Sequence, residues 1–266
     1  MIPQIVLLAL AASMASAQTL TIPTRSGNVV SLPRPSTITG AVDMGNKEFD
    51  RGRPCNTDAD TGNENAVFIL ANGASLSNVI IGANALEGIH CQGTSPALYS
   101  VSFSQNNTNK RLGSCTLRNV WFRDVCEDAI SIIGRGNAVI TGGGASGAQD
   151  KIIQHNNVGT VTIRGFTAVN SGKLYRSCGD CTDNSSKSPR HVVVENVRVN
   201  GITTDLVGIN SNFGDTATIS GSCGSVKGRV CQEWTGVNKG NGKSTKRDRD
   251  ASCLGAQGKM IQLPAC

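Results

Sequence analysis

Short runs of branched apolar residues, each closed by Gly or Asn, recur along this chain without a helical rhythm. They are Asn78-Val79-Ile80-Ile81-Gly82, Leu117-Arg118-Asn119-Val120-Trp121-Phe122, Ala138-Val139-Ile140-Thr141-Gly142, Val161-Thr162-Ile163-Arg164-Gly165-Phe166, Val194-Glu195-Asn196-Val197-Arg198-Val199 and Ala217-Thr218-Ile219-Ser220-Gly221. Val, Ile and Thr in such short runs favour strands, and the Leu, Ala, Glu and Lys blocks that sustain helices are scarce. Between comparable apolar positions, Val120 to Ile140 is 20 residues, Ile140 to Ile163 is 23 and Val197 to Ile219 is 22. Three short strands and their turns consume about that length, which is one coil of a parallel β-helix. The pattern predicts an all-β, single-domain solenoid, with the Asn-Val pairs at 78, 119 and 196 forming an asparagine ladder inside the stack. A β-sandwich also has many short strands, but it favours hairpin turns and a shorter repeat.

Two intervals break the rhythm. Ile163 to Val197 is 34 residues, which places a long loop over residues 171–189. Val79 to Val120 is 41, and removing residues 94–113 leaves a step of 21. That segment reads as a surface loop, an extra coil or a retained intron.

The chain has 266 residues, enough for one domain with a sizeable core. Residues 1–17 combine an apolar run from Ile5 to Ala12 with an Ala15-Ser16-Ala17 cleavage pattern. Despite lacking a basic start, they read as a removed secretory signal, and the run is too short to span a bilayer. The β-helix domain is expected over residues 18–236. Residues 237–266 form a basic polar tail, a linker in which Cys253 and Cys266 tie the end back or pair with each other. Ten cysteines in a secreted chain imply five disulfides of unspecified pairing. Zinc at Cys178 and Cys181 would need a second close pair, and Cys223 with Cys231 makes a poor one. Two sequons, at Asn106 and Asn184, fit surface loops. The net charge of +6 and pI near 8.9 suit a soluble surface or attraction to a polyanion. Nucleic acid is excluded by secretion, by 4% aromatics and by the lack of a stacking platform. No membrane partner is expected, and the protein is expected to be a monomer.

Coiling gives the charged residues a meaning that their order alone lacks. Glu127 and Asp128 precede Asp150 and Lys151 by 23 residues, and Arg176 follows Lys151 by 25. With residues 94–113 set aside, Glu87 falls 20 before Glu127, so three acids approach one another on one wall. Clustered carboxylates repel, and Ca²⁺ with its oxygen ligands removes that penalty. Lys and Arg beside such an ion suit an anionic substrate held between them, a uronic acid polymer. There the ion neutralises the sugar carboxylate and acidifies the C5 proton. A neutral Lys151 removes that proton and Arg176 holds the enolate charge. Neighbouring Ca²⁺ and arginine would lower the lysine pKa. Each charge alone reads as a solvated surface group; the spacing joins them.

Several ordered motifs between Ala66 and Gly236 carry a resemblance. They are Leu76-Ser-Asn-Val-Ile-Ile-Gly82, Glu87-Gly-Ile-His-Cys91, Cys115-Thr-Leu-Arg-Asn-Val-Trp121, Asp124-Val-Cys-Glu-Asp-Ala129, Asp150-Lys-Ile-Ile-Gln-His155, Gly172-Lys-Leu-Tyr-Arg-Ser-Cys-Gly-Asp-Cys181 and Gly208-Ile-Asn-Ser-Asn-Phe-Gly-Asp215. The chain resembles secreted, fungal-type pectate lyases of polysaccharide lyase family three. The resemblance implies a short right-handed parallel β-helix and endo-acting, Ca²⁺-dependent β-elimination of polygalacturonate. It implies Glu87, Glu127 and Asp128 at calcium, with Glu64 an outlying acid. It further implies Lys151 as base, Asp150 orienting it, Arg176 as the essential arginine, and Lys173 and Arg190 on substrate carboxylates. Either Lys151 or Arg176 fits the base, and arginine's weak basicity favours Lys151. The 94–113 segment departs from the family pattern. Looped out, it leaves the coils stacked; threaded between them, it displaces Glu87. A polygalacturonase-like hydrolase and a non-catalytic pectin-binding β-helix inactivated by the insertion are the alternatives.

Overall fold

Asparagines and glycines in the left-handed region turn the corners of each coil. Asn46, Asn78, Asn119 and Asn196 have φ of 59°, 50°, 51° and 54°. Strand register stacks Gly142, Gly165 and Gly221 in the same column. Asn and Gly are the residues that accept this backbone most readily. The computed structural model describes residues 19–57, 61–93 and 113–266. The expected leader and nearly all of the 94–113 segment lie outside them.

The coils lay down two parallel sheets. A nine-stranded one runs Ser36–Ile38, Phe68–Leu70, Ile89–Cys91, Ile130–Ile132, Lys151–His155, Lys173–Ser177, Val207–Asn210, Cys231–Thr235 and Thr245–Lys246. Only its last pair is antiparallel. The other sheet, of 13 strands, folds round a corner. Its strand Gly113–Phe122 pairs through the first part with Gly136–Thr141 and through the second with Gly144–Ser146. This is the expected parallel β-helix.

Leu76, Leu117, Ile140, Ile163, Val194 and Ile219 stack in register and are buried. Each such side chain contributes about 1.5–3 kcal/mol by leaving water. Ile140 therefore stacks on Leu117 and Ile219 on Val194, three residues earlier than the Val120 and Val197 of the periodicity reading. The reason is the left-handed Asn at 119 and 196, beyond which the chain has already turned onto the next face.

The asparagine ladder is short and external. Asn119 Nδ2 donates to Asn78 Oδ1 at 3.1 Å and Asn78 Nδ2 to Asp43 Oδ2 at 2.8 Å, both exposed. It stops at Gly142, where a Cβ would lie 2.3 Å from Asn119 Oδ1, and glycine rungs separate it from Asn196.

All ten cysteines are paired: 55–126, 91–115, 178–181, 223–266 and 231–253. Cys178 and Cys181 are thus bonded to each other rather than to zinc. The 91–115 bond joins the two chain ends from which the 94–113 segment departs. The strands on either side keep their register with neighbouring coils, so the stack is continuous from Cys91 to Cys115.

The tail is not a linker. Thr245–Lys246 pairs antiparallel with Trp234 and Thr235, Cys253–Leu254 adds to Ala217 and Thr218, and two disulfides tie it down. Among the described residues no helix is long and apolar enough to cross a membrane.

The sequon at Asn184 is also placed against expectation; Asn106 lies outside the described residues. Asn184 is 0% exposed. Its Nδ2 donates to the Cys178 and Val237 carbonyls at 3.0 and 2.8 Å, and its Oδ1 accepts from Arg190. A glycan on Nδ2 would break these bonds. Glycopeptide mass spectrometry of active secreted protein is expected to find Asn184 unmodified; a glycan there would contradict this packing.

Candidate active site

The nine-stranded sheet carries the expected residues. Lys151 opens its strand opposite Lys173, and Gln154 lies between Ser131 and Arg176 on adjacent rungs. Arg176 is thus in register with Gln154, three residues along the strand from Lys151. Gly208 faces Arg176 on the next rung, where a Cβ would lie 2.7 Å from Arg176 Cδ. Glycine there lets the arginine lie flat along the sheet.

Lys151 stands among three acids. Its Nζ is 3.4 Å from Glu127 Oε1, 3.2 Å from Asp128 Oδ1 and 3.4 Å from Asp150 Oδ2. Lys173 Nζ reaches Asp150 Oδ1 at 2.7 Å, so Asp150 bridges two lysines. Glu87, His90, Glu127, Asp128, Ser131, Gln154 and Asn156 line a small polar cavity beside Lys151. Glu87 is held in its wall. Its Oε1 accepts from Thr61 N and Oγ1 at 2.8 and 3.1 Å, and its Oε2 lies 3.2 Å from His90 Nε2. His90 in turn meets Asn63 Oδ1 through Nδ1 at 2.6 Å.

The electrostatics follow from burying these acids together. Burial pushes the Asp128 carboxyl well above the usual carboxylate range; Lys151 pulls it down and Glu127 pushes it further up. Burial alone would lower the Lys151 ammonium, but Asp128, Glu127 and Asp150 outweigh it and the net shift is upward. Both shifts report one condition: paired buried carboxylates demand positive charge. Asp150 is held below its ordinary value; burial opposes this, but the hydrogen bond and charge of Lys173, with Lys151, prevail. The raised Lys151 pKa is opposite to the lowering expected beside an ion.

The cavity's donor set suits a hard cation. Asp128 Oδ1, Gln154 Oε1 and Asn156 Oδ1 are buried oxygens without a hydrogen-bond partner. Asp128 Oδ1 lies within ion-pair distance of Lys151 but outside hydrogen-bonding geometry. Among the described residues no three His, Cys, Asp or Glu side chains are already drawn together at metal-binding distances. Glu127 and Asp128 are instead joined by Lys151, and the neutral oxygens complete the set. Ca²⁺, which takes six to eight oxygen ligands with varied geometry, matches these carboxylates and amide oxygens.

Arg176 lies beside this cluster and is 7% exposed. Its Nη1 donates to Ser177 O at 2.7 Å and Asn210 Oδ1 at 2.9 Å, its Nη2 to Ser244 Oγ at 3.1 Å, and its Cζ sits 4.7 Å from the Trp234 ring centre. Burial pulls its guanidinium down to about 10.

Two expected residues are placed elsewhere. Arg190 is 1% exposed and begins a strand on the other sheet. Its Nη2 donates to Asn156 O and Asn184 Oδ1, both at 2.6 Å, beneath the loop that follows Cys178. It braces that loop through Nη2, while its Nε and Nη1 are buried without a hydrogen-bond partner. Glu64 is exposed on a short 3-10 turn, Asn63–Asn65, and is not among the residues lining the cavity. Its neighbour Asn63 makes the inward contact instead. Gln154, Asn156, Ser131, His90, Asn210, Trp234 and Ser244 are further site residues that spacing did not single out. Register could have found Gln154, which falls 23 after Ser131 and 22 before Arg176.

Known proteins share this arrangement of coils. The pectate lyase family model matches residues 19–241. Pectate lyase E of Emericella nidulans is 43% identical over 232 residues, covering 85% of this chain and 79% of its own. The catalytic domain of pectate lyase PelI from Erwinia chrysanthemi superposes with a TM-score of 0.67 at 31% identity, covering 87% of this chain and 99% of that domain. PelI in complex with tetragalacturonic acid gives 0.66 at 32%, over 85% and 69%. Matching coils, sequence and extent together make this chain a member of the pectate lyase family.

Proposed function

We propose that the protein is a secreted pectate lyase that cleaves de-esterified polygalacturonate by Ca²⁺-dependent β-elimination. The observation that carries this reading is Lys151 set among Glu127, Asp128 and Asp150, beside a cavity into which the Gln154 and Asn156 amide oxygens are buried without hydrogen-bond partners, and on one sheet with Lys173 and Arg176. Glu127 and Asp128, with the Gln154 and Asn156 amide oxygens and Glu87 in the wall, would hold the ion. When bound, Ca²⁺ supplies charge neutralisation of the uronate carboxylate, which acidifies the C5 proton.

The chain's own residues do the rest. Lys151 takes the C5 proton. While Glu127 and Asp128 face its ammonium they keep it protonated; turned away from it, they leave burial, which lowers its pKa, the direction a general base needs. Arg176 donates to the charge that develops on the substrate carboxylate. Lys173, steered by Asp150, binds a uronate carboxylate. As the C4–O bond breaks, its electron pair leaves with the departing sugar oxygen and a 4,5 double bond forms.

The lowered pKa of Arg176 favours a second assignment, in which it is the base. Its guanidinium, however, already donates to Ser177, Asn210 and Ser244, and these acceptors hold it in the protonated, donating form. Inverting hydrolysis would instead need two carboxylates about 6.5–9.5 Å apart with water between them and no lysine base. Incubated with polygalacturonate and Ca²⁺, the protein is expected to raise ultraviolet absorbance as unsaturated ends form, and a chelator to stop it. New reducing ends without absorbance would mean hydrolysis; binding without either would mean a non-catalytic protein.

A further inference from the structure

We propose that the strap formed by residues 237–247 positions Arg176 for elimination, with Ser244 as the positioning residue. This rests on the role given to Arg176 above. The family match ends at residue 241, so Ser244 lies in a part of the chain that the family pattern does not cover.

The strap is fixed at both ends against the site. Val237 N donates to Gly179 O at 2.8 Å, and Asn184 Nδ2 donates back to Val237 O. Further on, Thr245 and Lys246 pair with Thr235 and Trp234. Arg247 N donates to Glu233 O at 2.9 Å, and Gln232 Nε2 to Arg247 O at 2.7 Å. Lys246 Nζ is anchored on Asp205 Oδ2 at 2.7 Å and lies 5.5 Å from the Trp234 ring centre. The Cys231–Cys253 disulfide closes the chain behind this pairing. Ser244 is thereby pressed onto the 178–181 disulfide loop, where a Cβ at Gly179 would lie 2.5 Å from Ser244 Oγ.

A guanidinium is planar, so its orientation is set by acceptors at more than one nitrogen. Ser177 O and Asn210 Oδ1 both engage Nη1. Ser244 Oγ accepts from Nη2 and sets the rotation that those two leave open, while Trp234 supports the group at 4.7 Å. Without Ser244 the arginine keeps its charge and its anchor at Nη1 but loses its aim. A misaimed donor costs turnover more than ground-state binding.

The test compares Ser244→Ala, Ser244→Thr, Arg176→Ala and the Ser244→Ala/Arg176→Ala double variant in full-length protein on polygalacturonate with saturating Ca²⁺. Ser244→Ala is expected to lower kcat about tenfold, with KM and melting temperature unchanged. Ser244→Thr, which keeps the hydroxyl, is expected to restore kcat. The double variant is expected to be no slower than Arg176→Ala alone. Wild-type kcat in Ser244→Ala beside an inactive Arg176→Ala would overturn the strap's role and leave that of Arg176 standing. A fall in kcat that tracks a lower melting temperature and is not rescued by threonine would overturn it as mere fold support. Full activity in Arg176→Ala would remove the role of Arg176 and the strap's with it.

Discussion

Replacing Lys151 by alanine is expected to lower kcat on polygalacturonate by about 10³-fold, within the range a positioned general base supplies. The ammonium lies within 3.4 Å of three carboxylates, so alanine also removes their counter-charge. Lys151→Arg separates the two consequences: arginine restores the charge but not a base usable near neutral pH. It is expected to recover thermal stability and remain inactive. The pH profile carries the same signature. Asp128, Glu127 and Asp150 raise the pKa of Lys151, so at any given pH the neutral fraction is smaller than for a free lysine. Activity should therefore rise into the alkaline range, and its ascending limb should move to lower pH as Ca²⁺ occupies those acids. Turnover in Lys151→Ala within tenfold of wild type, or a maximum well below neutrality, would remove Lys151 as the base.

The solenoid was legible because its corners are written in residue type. Asn and Gly at the left-handed positions recur one coil apart, and an inward aliphatic accompanies each rung, so period and sheet direction follow from composition and interval. The register was not legible at two rungs. Leu117 and Val120 are both buried aliphatics three residues apart, and only the backbone angle at Asn119 tells which belongs to which face. The tail failed for another reason. Its polar, basic residues have little apolar surface to announce a fold. What holds it is strand pairing, disulfides and side-chain hydrogen bonds to the preceding coil, and these are invisible without the coil's geometry.

At the site, acids and bases meet on adjacent rungs where the interval is uninterrupted. Asp128 and Lys151 lie on neighbouring rungs, as counting placed them, whereas the rung after Lys151 brings Lys173 opposite it and sets Arg176 opposite Gln154. Counting did not place Arg190 and Glu64, because each sits next to an irregular segment. The loop after Cys178 folds Asn184 down onto Arg190, and the 3-10 turn at 63–65 points Asn63 rather than Glu64 at His90. The neutral oxygens of Gln154 and Asn156 escaped notice because amides carry no charge pattern. Their burial without partners marks them only in three dimensions.

Those orphaned oxygens lead to the second large effect, Asp128→Asn. Asp128 is 5% exposed; its Oδ2 accepts from Ser131 Oγ at 3.2 Å, and its Oδ1 lies 3.2 Å from Lys151 Nζ. Asparagine keeps the shape and removes the charge, and two readings of Asp128 then predict opposite outcomes. If Asp128 serves only to hold Lys151, its loss lowers the lysine pKa, shifts the ascending pH limb downward and leaves turnover intact or improved. If Asp128 is a cation ligand, removing one of the charges that attract a dication in a poorly solvated cavity weakens binding steeply. We expect the second result: calorimetric affinity for Ca²⁺ falls about 100-fold or more, and activity at low Ca²⁺ is lost. Excess Ca²⁺ restores part of it, and the melting temperature in chelator does not fall, because a buried charge that burial disfavours has been removed. Unchanged Ca²⁺ affinity together with a downward pH shift would instead assign Asp128 to Lys151 alone, and the cation would have to be held without it.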